Sequence, residues 1–320
     1  MAANIVAMAS PSVASFIQQL SKAELHVHLE GTLDAGVLAE FDPNVSAAEV
    51  ARRYQSADFD QFITAFKWAV GHLDSPDHYA LAARRYFEKL AAQNVRYVEL
   101  TLAAGVALWK KLDFAAVYDA VAQECARAPL DAWLVLDAVR HFGVEHVDEV
   151  ARLAVERAGD RVVAFGIGGD ERTAPPEMFA ATFQFVRDHG LALVPHAGET
   201  AGAASVRSCV ELGARRIGHG IAAVSDPELL AELARRGIAL EVCLSSNAAT
   251  GAVHSLGAHP IRQLFDAGVP IVLNTDDPAL FGTTLNDEYA LAANRFGFTP
   301  VELEQLAANS RRYAIRSTEP

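Results

Sequence analysis

Two histidines one residue apart, His26 and His28, stand in the stretch Ala-Glu-Leu-His-Val-His-Leu-Glu-Gly at 23–31. On a β-strand this spacing turns both imidazoles to one face. A shared partner would account for the pair, and a divalent metal is the obvious one. His-x-His alone is weak, because strand histidines are also found as unrelated polar residues. Further along stand His196 in His-Ala-Gly-Glu, His219 between Gly218 and Gly220, and the adjacent Asp276 and Asp277 before Pro278. His26, His28, His196 and one of the two aspartates would make a mononuclear site. Nitrogen and oxygen donors without sulfur suit zinc, one ion per chain. A catalytic zinc keeps a position open for water and lowers that water's pKa towards ~7. Adjacent carboxylates repel unless a cation or a proton lies between them. Blander readings exist beside these: a core histidine before a glycine turn for His196, and a turn or helix N-cap for the aspartates.

Glu199 and His219 are the acid–base candidates. Glu199 lies three residues beyond His196, across Ala-Gly, where it can face a substrate atom beside the metal. Shielded from water, its pKa would rise and it could donate a proton. It could equally be a first-turn acid on the next helix. His219, flanked by glycines, has little steric cover, which suits an imidazole that must reach into a site.

These residues need a scaffold that gathers them, and the alternation of patterns supplies one. Strand-like runs fall at 23–28, 95–102, 132–139, 162–166, 191–195, 216–218, 238–244 and 270–274. Helical patterns lie between them, for example Phe114 to Arg127 and Val144 to Arg157. Eight strands alternating with helices predict an α/β fold, a (β/α)8 TIM barrel in one domain over 1–320. An open doubly wound sheet is the rival, but no Gly-x-Gly-x-x-Gly follows the first strand. The connection after strand 1 is long and helical over 44–93, which predicts a lid insertion. Ser75, Pro76 and Asp77 mark one helix start inside it. Thr299, Pro300 and Glu302 form a capping-box pattern opening a C-terminal helix.

In a barrel, catalytic groups sit at the C-terminal ends of strands. Here those ends carry His26 and His28; Arg140 and His141; Gly168-Gly169-Asp170-Glu171; His196 to Glu199; Gly218-His219-Gly220; Ser245-Ser246-Asn247; and Asp276-Asp277. By contrast His72, His78, His146, His189, His254 and His259 fall in helices or loops, where solvated or capping roles are expected.

The chain has 320 residues, 51% hydrophobic and 21% charged, with net charge −13. An acidic surface argues against binding to nucleic-acid backbone but not against a small nucleoside. The cysteines Cys125, Cys209 and Cys243 are far apart, as expected of reduced core residues in a cytoplasmic protein. The apolar start at Met1–Ser10 lacks a basic region, so no signal peptide is expected. No run approaches the ~18 apolar residues of a membrane span.

Taken together, His-Val-His-Leu-Glu-Gly, Gly-Asp-Glu at 169–171, His-Ala-Gly-Glu at 196–199, Gly-His-Gly at 218–220 and Asn-Thr-Asp-Asp-Pro at 274–278 resemble the adenosine deaminase family of the amidohydrolase group. The resemblance runs from about residue 21 to 310 and implies a zinc-dependent barrel hydrolase. It implies that His26, His28, His196 and Asp276 bind zinc. It implies that His219 orients and deprotonates the attacking water, and that Asp277 contacts that water or the purine edge. Glu199 would protonate the ring nitrogen beside the carbon attacked, the backbone of Gly169 would bind another ring nitrogen, and ammonia would leave. Zinc deaminases built on Pro-Cys-x-x-Cys are a different solution, and that motif is absent here.

The departures bear on the substrate. Adenosine deaminases commonly have Asp where this chain has Glu30, near the ribose. Adenine deaminases often carry Glu there but typically lack Gly-Asp-Glu on strand 4. Three stretches, at 97–106, 136–143 and 241–251, look similar to bacterial aminodeoxyfutalosine deaminases of the menaquinone pathway. That resemblance implies a purine nucleoside with a carboxylate-bearing 5′ arm, which Arg140 or Lys67 could meet. His28, Glu30, Phe62, Ile63, Phe66, Arg140, Gly169 and Asp277 are the expected substrate contacts. Phe62, Ile63 and Phe66 match the family's apolar lid, or are ordinary packing of an amphipathic helix. Adenosine and then adenine are the next substrates in line. A metal-dependent esterase or amidase would often add a strand-end lysine, which is not found, and a non-catalytic binding protein would not need Glu199 and His219. Homo-oligomer formation is left open.

Overall fold

The computed structural model describes residues 11–56 and 58–316. The N-terminal run discussed above lies outside the described residues. The strands are β1 (Lys22–His28), β2 (Val95–Leu102), β3 (Asp131–Val139), β4 (Val162–Gly168), β5 (Ala192–Leu193), β6 (His196–Ala197), β7 (Arg216–His219), β8 (Ala239–Val242) and β9 (Ile271–Leu273). All pairings between them are parallel, in the orders β1-β2-β3-β4-β5 and β6-β7-β8-β9. Backbone hydrogen bonds join these two sheets at both seams. Asp276 N donates to His26 O at 3.1 Å and His28 N to Asp276 O at 2.8 Å. At the other seam Arg215 N reaches Leu193 O at 2.8 Å and Gly218 N reaches Pro195 O at 3.0 Å. The expected fifth strand is thus two short pieces, β5 and β6. Pro195 between them has no N–H to offer a ladder.

Alternation decides which side chains fill the ring and which face the helices. Val98, Leu100 and Leu102 of β2 and Leu134, Leu136 and Ala138 of β3 join the large buried cluster with the surrounding helices. The opposite face supplies a separate cluster of Ala23, Leu25, Tyr97, Ala239 and Val272, packed with Ala314 and Tyr313. Strict alternation would set Leu25 and His26 on opposite faces. A register shift in β1 between Glu24 and Val27 relieves this. There the side-chain oxygen of Asn274 accepts from Leu25 N at 2.7 Å and His26 N at 3.1 Å. A bulge of this kind re-aims a strand end.

The long connection after β1 is helical as expected, with helices Ala47–Arg53, Phe59–Val70 and Pro76–Ala92. Ser75 caps the last of these through His78 N. The C-terminal helix Pro300–Arg312 carries the expected capping box of Thr299 and Glu302. Helices without a sequence expectation include Pro11–Gln19, Ala104–Trp109, Leu244–Ala249 and Leu285–Phe296. The last was readable, since Thr284 and Asp287 form a second capping box. Among the described residues no helix is long and apolar enough to cross a membrane. Cys125, Cys209 and Cys243 are free and buried.

Candidate active site

The C-terminal strand ends bring His26, His28, His196, His219 and Asp276 together. Nε2 of His28 lies 3.2 Å from Nε2 of His196 and 3.4 Å from Oδ1 of Asp276. Nε2 of His26 lies 3.3 Å from the same oxygen. Donors held at ~2.0–2.1 Å in a tetrahedron sit about 3.3–3.4 Å apart, so this set fits a divalent ion. The donor atoms of His26, His196, His219 and Asp276 also lie within 4.8 Å of one another. His219 differs from His28 in what holds it: Asn247 pairs with its Nδ1 at 3.0 Å, and its Nε2 faces Glu199 Oε2 at 3.7 Å.

Two of the donors, His26 and Asp276, are aimed by residues behind them. Nδ1 of His26 meets Oε2 of Glu241 at 2.8 Å, which turns the buried Nε2 into the site towards Asp276. Carboxylates behind ligating histidines commonly set the tautomer this way. Glu241 is held in turn by Arg216 Nε at 2.5 Å, and the same guanidinium binds Glu99. Asp276 accepts from Ser246 Oγ at 2.6 Å. Asp276 and His219 both adopt left-handed backbone, with φ of 65° and 60°, a strain that non-glycine residues show chiefly at functional sites. Gly31 is required by Asp277, because a Cβ there would lie 2.1 Å from its Oδ1.

Burial and mutual contact shift nearly every titratable group of the cluster. Burial alone would lower the His26 imidazole, but its bonds to Asp276 and Glu241 outweigh that and push it up to about 10. Burial would likewise raise Asp276, and His26 holds it well below the usual carboxylate range. Burial and the neighbouring Asp276 push Asp277 well up. Burial takes His28 down to about 4 and His196 well below its ordinary value. Both rings therefore stay neutral, the form that ligates.

Glu199 stands beside this cluster with its carboxyl raised, chiefly by burial. Thr250 Oγ1 lies 3.1 Å from its Oε1. The turn carrying Glu199 is clamped by Glu171, whose carboxylate accepts from Gly198 N, Glu199 N, Thr200 N and Ser205 Oγ at 2.8, 2.9, 3.2 and 2.7 Å. Gly198 has φ of 70°, and a Cβ there would meet Val206 at 2.3 Å. The glutamate of Gly-Asp-Glu thus shapes the loop of His-Ala-Gly-Glu. Asp170 instead pairs with Arg172 at 2.8 Å near the surface.

The other candidates are placed unevenly. Glu30 is fully buried. One of its oxygens accepts from Ala103 N at 3.1 Å and the other has no partner; burial pushes its pKa up to about 7. Gly169 has φ of 91° beside His141. Phe62 is buried and stacks on Phe281 at 5.2 Å, in a cluster with Ala65 and Leu280 that Ile63 and Phe66 flank. That helix therefore packs onto the segment directly after Asp277. Lys67 is exposed on it. Arg140 corrects the expectation of a substrate carboxylate. It is 1% exposed, and its guanidinium donates to the carbonyls of Ile167, Gly168, Ala174 and His196. It ties β4, β6 and the loop after β4 together from a buried position.

Sequence reasoning missed Asp137, Glu241 and Arg216, named Asn247 only as a strand-end residue without a role, and set His259 aside. Asp137 is buried with an unpartnered Oδ1, and burial pushes it up to about 7. Charged residues within otherwise apolar strand runs were the available signal for Asp137 and Glu241. His259, expected to be solvated or capping, is buried, with Nε2 at 3.1 Å from Oδ1 of Asn247. By contrast His189 does cap a helix end through Phe185 O at 2.8 Å.

A family model described as adenosine deaminase matches residues 21–319. The chain is 38% identical over 309 residues to aminodeoxyfutalosine deaminase of Streptomyces coelicolor, covering 92% of this chain and 80% of that protein. It is 34% identical over 300 residues to adenine deaminase of Chelativorans sp., covering 91% and 92%. Adenine deaminase from Arthrobacter aurescens superposes with a TM-score of 0.86 at 26% identity, covering 93% and 94%. A Burkholderia ambifaria amidohydrolase solved with bound zinc shares the fold at a TM-score of 0.86 and 24% identity, covering 97% and 90%.

Proposed function

Since the chain belongs to the adenosine deaminase family of hydrolytic deaminases, we propose that it deaminates an adenine-containing nucleoside with the help of zinc, and that aminodeoxyfutalosine, of the menaquinone pathway, is that nucleoside. One observation carries the reading: a nitrogen–oxygen donor cluster shares one mouth of the barrel with Glu199, a buried carboxyl biased towards its protonated form. Proton donation and a metal donor set in one place are what hydrolysis of a ring amidine requires.

His26, His28, His196 and Asp276 would hold the zinc. When bound, the ion supplies Lewis acidity and a water nucleophile active near neutral pH. Glu199 gives its proton to the ring nitrogen beside the carbon attacked, which makes that carbon more electrophilic. The Gly169 backbone binds a second ring nitrogen. Asp277, whose carboxyl is pushed well up by burial and by Asp276, contacts the purine edge or the water. The helix Phe59–Val70, with Phe62, Ile63 and Phe66, acts as the lid that excludes water. The amino group takes one proton of the attacking water and leaves as ammonia, the other water proton restores the Glu199 carboxyl, and the amidine carbon becomes a carbonyl. The substrate assignment is supported by the identity to aminodeoxyfutalosine deaminases of two Streptomyces species, at 38% and 37%. Adenine is the alternative favoured by Glu30 and by the adenine deaminases at 34% identity.

Ammonia release from aminodeoxyfutalosine, adenosine, 5′-modified adenosines and adenine, assayed side by side, tests the substrate. Preference for plain adenosine or for adenine would overturn the assignment. Metal analysis is expected to find about one zinc per chain, lost in His26→Ala and Asp276→Ala. A metal-free protein with full activity would sink the mechanism. Glu199→Gln is expected to keep the metal and lose on the order of 10²-fold or more in kcat.

A further inference from the structure

Behind His219 runs a hydrogen-bonded row whose direction is set at its far end. The backbone N–H of Ile261 lies 3.1 Å from Nδ1 of His259. A backbone amide nitrogen can only donate, so Nδ1 of His259 offers its lone pair and the neutral ring carries its proton on Nε2. That Nε2 lies 3.1 Å from Oδ1 of Asn247. The carboxamide oxygen can only accept, so the amide's NH2 is turned the opposite way. It lies 3.0 Å from Nδ1 of His219. An NH2 group can only donate, so Nδ1 of His219 is an acceptor as well. The proton of the neutral His219 ring then sits on Nε2, the nitrogen 3.7 Å from Oε2 of Glu199.

The row is sealed from solvent: His259 is 5% exposed, Asn247 0% and His219 1%. Burial takes the His259 imidazole down to about 3. That ring therefore stays neutral across the working pH range and cannot reverse the row by taking a second proton. The left-handed backbone of His219, with φ of 60°, fixes where the ring stands. The row fixes which nitrogen carries hydrogen.

We infer that His259 and Asn247 are positioning residues that hold His219 as the tautomer protonated on Nε2, so that His219 meets the reacting centre as a hydrogen-bond donor and not as a base. This rests on the reading of the site as a deaminase centre. It refines the family expectation for His219 from orienting and deprotonating the water to orienting alone.

The test is ¹⁵N spectroscopy of histidine-labelled protein, as purified and after metal removal, with the His219 signals assigned by their loss in His219→Gln. In the wild-type protein Nδ1 of His219 is expected to resonate as an unprotonated nitrogen and Nε2 as a protonated one. Asn247→Asp sets an acceptor-only carboxylate against Nδ1 and is expected to reverse that pattern. In the same variant kcat is expected to fall on the order of 10²–10⁴-fold, the range seen when a catalytic imidazole is wrongly protonated, with KM and bound metal changed far less. His259→Gln, which can accept from Ile261 and donate to Asn247, is expected to retain more kcat than His259→Leu. A protonated Nδ1 on His219 in the wild-type protein would overturn the inference, as would wild-type kcat in Asn247→Asp. A protein that neither binds metal nor deaminates would defeat the functional reading, while the nitrogen pattern would still decide the tautomer.

Discussion

A carboxyl group that must donate a proton near neutral pH cannot stay an ordinary glutamate. Glu199 departs from one mainly through burial, and the Thr250 hydroxyl opposes the shift by favouring the ionised form. The sign follows directly. A raised acid keeps its proton to higher pH, so the donor form is present below the folded pKa and is lost as pH rises through it. Thr250→Val removes the bond that favours ionisation. Its kcat–pH profile is therefore expected to carry the basic limb at higher pH than the wild-type profile. A limb moved to lower pH would show that Thr250 does not act on Glu199 in this way. Residue types alone pointed to Glu199 and His219 as chemical groups. They did not show what Thr250, Asn247 or His259 do, because those effects depend on which side chains stand behind the site.

At the level of elements, the turn from β6 into the helix Gly202–Glu211 is built around Glu171. Its carboxylate takes three consecutive backbone N–H groups and the Ser205 hydroxyl. Glu171→Ala leaves these buried donors without an acceptor, each at a cost of about 1–3 kcal/mol unless water reaches it. Thermal denaturation is expected to show a lower Tm by several degrees, together with a loss of kcat as Glu199 is released. An unchanged Tm would mean that the turn holds itself. In the sequence, Gly-Asp-Glu was visible as a motif on strand 4, but its partner was not. The carboxylate reaches residues 27 to 34 positions further along. Similarly, the helical connection after β1 was legible from periodicity, while its docking of Phe62 on Phe281 was not.

Across the whole molecule, a buried charged row runs from the site to the chain's C-terminal end. Glu241 carries His26 on one oxygen and Arg216 on the other. Arg216 also binds Glu99 and donates to Tyr313 O at 2.8 Å, and Glu99 accepts from Ile315 N at 2.6 Å. The segment after the last helix thus closes the base of the barrel while bracing the residue that aims His26. Arg216→Met leaves two buried carboxylates without their cation. Breaking a buried pair in this way costs about 3–5 kcal/mol, which denaturant unfolding is expected to show. Loss of the brace behind His26 is expected to weaken metal binding by about 10–100-fold, measured by chelator competition. A variant of wild-type stability and affinity would mean that Glu241 orients His26 unaided.

Residue types and periodicity were enough to read the class of scaffold and to single out the candidate chemical groups. Histidine and carboxylate types at strand ends, and strands alternating with helices, are local properties of composition and periodicity. The tertiary structure decided the rest, for reasons of distance and direction. Arg140 has a charge that suggested a carboxylate ligand, yet it donates to three carbonyls of β4 and β6 and to that of Ala174 in the loop after β4. His259 looked like one more loop histidine, yet folding seats it against Asn247 and so fixes the proton on His219. The β1 bulge that turns His26 into the ring depends on Asn274, 248 residues away. A hydrogen bond has a donor end and an acceptor end, and which end faces the site is set only when distant residues meet.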